Sequence, residues 1–90
     1  MPDQIIDAAM AQALHVDANR TRPMVGWVVL HDPPEYPDKV IARLVTDGPT
    51  PYVLIAGTLA ELQALLPPDL SHSQRQPADP PDVVEFWFSA

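Results

Sequence analysis

Twelve prolines in 90 residues constrain this chain more than any other feature. Ten of them cluster, at Pro33, Pro34 and Pro37, at Pro49 and Pro51, at Pro67 and Pro68, and at Pro77, Pro80 and Pro81. Proline removes a backbone donor and turns the residue before it away from helical dihedrals, so each cluster ends an element. What lies between them is short: runs of about six to eight residues suited to strands, and one slightly longer stretch suited to a two-turn helix.

Val25-Gly26-Trp27-Val28-Val29-Leu30-His31 is rich in β-branched and aromatic residues and stops at Asp32-Pro33-Pro34. Val40 to Thr46 reads as a second strand, and Tyr52 to Ala56 as a third after the tight Asp47-Gly48-Pro49-Thr50 connection. Together they predict an antiparallel meander. Thr58-Leu59-Ala60-Glu61 has capping-box spacing, and Leu59, Leu62, Leu65 and Leu66 give the following helix an apolar stripe up to Pro67-Pro68. Val83 to Phe88 is so apolar that it must pair into the sheet, beside the first strand.

Residues 1–23 read as a helical or flexible leader, with Ile6, Met10, Ala13 and Leu14 at helical spacing from Asp3 to about Val16. Residues 24–90 read as one α+β domain. Its expected architecture is a small antiparallel sheet of about four strands, ordered β-β-β-α-β, with the capped helix packed on it. The Pro-rich connection at 67–82 is expected to carry no element.

Alternation sorts the strand residues into two sets. Val28, Leu30, Val40, Ala42, Leu44, Leu54, Val84, Phe86 and Phe88 are expected to face the capped helix. Trp27, Val29, Ile41, Val45 and Trp87 then form a second face that is also apolar, broken by Arg43 and Glu85, which would pair across strands if neighbours. A face of that kind implies a covering layer: the N-terminal helix, a second copy in a homodimer, or a protein partner.

Chemistry is sparse. His15, His31 and His72 fall in separate segments with no metal-ligand spacing, and no metal or other cofactor is expected. The chain lacks cysteine, and Ser71, Ser73 and Ser89 stand in no nucleophile motif, so no catalytic residue is assigned. His31, Asp32, Glu35 and Asp38 could form a small acid-base or cation-binding loop, although the prolines among them already account for a rigid turn. A net charge of −7 repels phosphates and anionic lipid, which argues against direct nucleic-acid or membrane binding. The absence of cysteine and of an apolar span suits a cytoplasmic location.

The three strands and helix of Val28 to Leu66, with Ala56-Gly57-Thr58-Leu59-Ala60-Glu61-Leu62 at the strand-to-helix junction, resemble the N-terminal domain of HicB-type antitoxins. That resemblance implies an inhibitor that blocks a protein toxin. The glycine-rich first hairpin of that family is missing here. From the residues themselves, the expected function is that of a small acidic interaction or regulatory module of bacterial style. The competing class is a ligand-binding protein or enzyme using the His31 to Asp38 loop.

Overall fold

The structure, a computed structural model, describes residues 3–22, 24–74 and 83–89. In chain order the elements are β1 (Gln4–Ile5), α1 (Ala8–Thr21), β2 (Val25–His31), β3 (Val40–Val45), β4 (Pro49–Ala56), α2 (Leu59–Leu65), β5 (Ser71–Gln74) and β6 (Val83–Ser89). The strands form one sheet in the order β1-β4-β3-β2-β6-β5. All neighbours are antiparallel except β1, which runs parallel to β4. No helix among the described residues is long and apolar enough to cross a membrane.

The α+β class, the β2-β3-β4 meander, the capped helix and the pairing of β6 with β2 are as the sequence predicts. The sheet has six strands rather than four. Both additions are short and polar or exposed: Gln4–Ile5 at one edge and Ser71–Gln74, within the connection expected to carry no element, at the other. Their side chains carry no strand signal. They form because the outer edges of β4 and β6 offer unpaired backbone groups, which any extended neighbour can satisfy. The rest of that connection, 75–82, lies outside the described residues.

Helix α1 starts later than its apolar spacing predicts and runs on to Thr21. Asp7 caps it, its Oδ1 accepting from the Met10 amide at 2.8 Å. The face turned to the sheet carries Ala11, Leu14, His15 and Ala18, while Met10 and Val16 are exposed. Small alanines let the helix approach the sheet closely, and the buried partner of His15 decides the rotation. At α2 the Thr58 hydroxyl accepts from the Glu61 amide at 3.2 Å. The Glu61 carboxylate meets that same hydroxyl rather than the Thr58 amide.

Register reverses the expected faces of β2 and β6, while Val40, Ala42 and Leu44 of β3 and Leu54 of β4 face the helices as expected. Trp27 stands opposite Leu44 and Trp87, Val29 opposite Ala42 and Glu85, and Ala42 opposite Leu54. Residues directly opposite share a face. Val25, Trp27, Val29, Val40, Ala42, Leu44 and Leu54 therefore form the core with Ala11 and Leu62 of the helices. Val28 and Leu30 join Ile41, Arg43, Val45, Val53 and Phe86 on the other side. Alternation fixes parity within one strand, but the relation between strands depends on the loop that joins them.

On that other side Gly26 lies beneath the Phe86 ring, which stacks on Phe88 with centroids 5.5 Å apart. A Cβ at position 26 would overlap the ring. Gly26→Ala should lower stability in urea by about 1–3 kcal/mol, the usual range for overpacking. Trimming the ring in a Gly26→Ala, Phe86→Leu double variant should recover part of that loss relative to the sum of the single changes. Strictly additive losses would show that the ring is not what the methyl displaces.

Candidate functional site

Both helices pack against the core face, so the opposite face carries no helix among the described residues. There the side chains of Val28, Leu30, Arg43, Val45, Pro49, Val83 and Phe86 line a groove of about 520 Å³. Six of these seven are apolar. β2 supplies the floor, with β3 and β6 on either side of it in the sheet.

Arg43 is the one cation in this lining, and its charge is met at once. Its Nη1 donates to Asp3 Oδ1 at 2.8 Å, its Nη2 to Asp3 Oδ2 at 3.0 Å, and Nη1 also to the Thr50 carbonyl at 2.9 Å. The Tyr36 hydroxyl donates to Asp3 Oδ2 at 2.9 Å. The Arg43 and Tyr36 hydrogen bonds lower the Asp3 pKa to about 2 against a small opposing effect of burial. Burial, followed by the hydrogen bond to Asp3, raises the Tyr36 pKa. The guanidinium is held above its ordinary value, chiefly by the same carboxylate. The face thus presents apolar surface with its one cation neutralised.

Tyr36 reaches this position because the β2–β3 loop is stiff. Asp32 and Asp38 both adopt left-handed backbone, with φ of 51° and 64°. Asp32 Oδ1 accepts from the Asp38 amide at 2.8 Å, and the Asp32 amide donates to the Lys39 carbonyl at 2.8 Å. Asp32 and Asp38 therefore close the loop, while His31 and Glu35 are exposed. The described residues contain no cluster of three or more side chains able to hold a metal ion.

Of the five residues expected on an interaction face, Trp27 and Val29 are fully buried beneath the helices, and Trp87 is partly buried on that same side. Ile41 lies on the opposite face but is fully buried. Val45 alone lines the groove. Val28, Leu30 and Phe86, assigned from alternation to the helix side, are its other walls. The expected Arg43–Glu85 pair does not form, because the two residues lie on opposite faces of the sheet. A lone arginine amid apolar neighbours was the signal that a carboxylate must come from elsewhere, and the sequence separation of Asp3 concealed which one.

Two polar networks sit on the helix side. Glu85 Oε1 accepts from Gln63 Nε2 at 2.8 Å and from the Trp87 indole at 2.9 Å, and Oε2 lies 2.8 Å from His72 Nε2. Burial alone would raise the Glu85 pKa, but the hydrogen bonds from Gln63, Trp87 and His72 outweigh it and the net shift is downward. In the second network the Trp27 indole donates to His15 Nδ1 at 3.1 Å. That assigns the His15 proton to Nε2, which faces Ser89 Oγ at 3.0 Å, and Ser89 in turn donates to Asn19 Oδ1 at 3.1 Å. A histidine whose Nε2 is the donor cannot serve Ser89 as a base. Burial lowers the His15 pKa. Both networks tie elements together and leave no buried side-chain donor or acceptor unpartnered among the described residues.

Compared with known proteins, the chain matches no family model, no curated protein and no solved structure.

Proposed function

We propose that this chain is a protein-interaction module that acts by burying its open sheet face against a second copy of itself. The observation that supports the reading is the apolar groove on the face that neither helix covers, with Arg43 neutralised by Asp3. Ile41 and Val53 on this face are already fully buried, so the contact rests on the half-buried Val28, Leu30, Val45 and Phe86, a small apolar area that suits a weak and reversible dimer. Neutrality matters here, since each chain carries −7 and must bring a surface without net charge to the contact.

Sedimentation equilibrium over a wide concentration range tests this. The chain is expected to dimerise reversibly and more tightly as salt screens the like charges. Val45→Glu should weaken the dimer by at least about tenfold, or 1.4 kcal/mol, while Met10→Glu, on the exposed side of α1, leaves it unchanged. A chain that stays monomeric throughout, or a dimer indifferent to Val45→Glu, would overturn the assignment.

A further inference from the structure

The contacts of Asp3 are those of a bound ligand. Its carboxylate is gripped in bidentate fashion by Arg43 and hydrogen-bonded by Tyr36, donors contributed by β3 and by the β2–β3 loop. Both donors have support besides Asp3. Arg43 is also bonded to the Thr50 carbonyl, and Thr50 by its own hydroxyl to the Leu44 carbonyl at 2.7 Å. Tyr36 rides on a loop whose backbone is closed by Asp32 and Asp38.

The segment that delivers Asp3 is held more lightly. β1 is two residues long, Gln4 and Ile5 are exposed, and the next backbone bond is from the Ile6 amide to the Val53 carbonyl at 2.9 Å. Beside this seat the arginine stem runs into the groove, whose 520 Å³ lies within the range of roughly 300–1,000 Å³ that small-molecule sites occupy. A cationic head beside an apolar trough matches one ligand chemistry in both charge and shape.

We propose that Arg43 and Tyr36 form a carboxylate seat at the mouth of the groove, that Asp3 is its built-in occupant, and that a medium-chain aliphatic carboxylate displaces Asp3 and lays its chain along Val28, Leu30, Val45 and Phe86. The depressed pKa of Asp3 agrees with a seat that selects the anion. The proposal does not depend on self-association, although both readings use the same face and a bound ligand would compete with the dimer.

The test is calorimetric titration of the full chain with sodium decanoate, with decyltrimethylammonium as the charge-reversed probe. Asp3→Asn, which removes the internal anion and keeps its shape, should bind decanoate at least about tenfold more tightly than the parent, and Tyr36→Phe in that background should give back part of the gain. The cationic probe should show no such gain. Equal decanoate affinity in parent and Asp3→Asn, an equal gain for the cation, or no decanoate binding by folded Asp3→Asn would each overturn the proposal. If Asp3→Asn fails to fold, the parent decides: at neutral pH, near-saturating decanoate should move the carbon-13 resonance of the Asp3 carboxylate to that of a solvent-exposed aspartate. An unchanged Asp3 resonance with decanoate bound would refute displacement. Sedimentation run alongside separates the two readings, because a monomer that binds decanoate removes the dimer and keeps the seat.

Discussion

Trp27→Ala is expected to unfold the chain rather than to release a partner. The side chain is fully buried between Leu44 and Trp87, and its indole donates to His15 in the interior. Truncating a buried tryptophan costs about 3–5 kcal/mol. A domain this small has little more than that in reserve. Far-UV circular dichroism should show loss of the cooperative melt, and a variant melting within a few degrees of the parent would remove Trp27 from the core. The same contact gives the protein an acid sensitivity. His15 is held neutral by burial, so below about pH 6.5 the unfolded chain takes up a proton that the folded one resists. Stability should therefore decline as the pH falls from neutrality, and this limb should flatten in His15→Gln.

Glu85→Ala carries the second large effect, an expected loss of about 1–3 kcal/mol in urea denaturation. One buried carboxylate satisfies donors from α2, β5 and β6, and while exposed Gln63 and His72 can turn to water, the partly buried Trp87 indole loses its acceptor. Glu85→Gln separates charge from shape. Because the folded pKa of Glu85 lies below its unfolded value, the associated stability is fully present above about pH 4.5 and is lost as the pH falls through the folded pKa. The parent should show this acid limb and Glu85→Gln should lack it. Superimposable pH profiles would show that the charge of Glu85 contributes nothing to the fold.

Those two residues also mark where sequence reasoning stops. Thr58 and Glu61 announce α2, and Asp47-Gly48 announces the β3–β4 turn, because both signals act within four residues. Alternation within β2 or β6 was equally legible. The pairing of those alternations was not, since eight residues separate β2 from β3, and nothing in Pro33, Tyr36 or Lys39 states which parity will meet which. Trp27 and Trp87 consequently read as an interaction face, whereas Trp27 is core and Trp87 packs partly buried against it. β5 escaped notice because Ser71 to Gln74 is strand by backbone pairing alone. For the candidate site, Val45 was visible as part of an apolar face and Arg43 as a break in it, but Asp3 lies 40 positions from its partner and read as the start of the leader helix.

The opposition of Trp27 and Trp87 has a practical outcome. They are the only tryptophans in the chain and stand directly across from one another in the β2–β6 pair. That pair joins strands from far-separated parts of the sequence, whereas the β2-β3-β4 meander closes over short loops. Long loops cost more entropy to close and their contacts tend to form late. The fluorescence of Trp87 followed during refolding will therefore time the final closing of the sheet, whereas Trp27, opposite Leu44 in the β2–β3 pair, also reports the earlier meander.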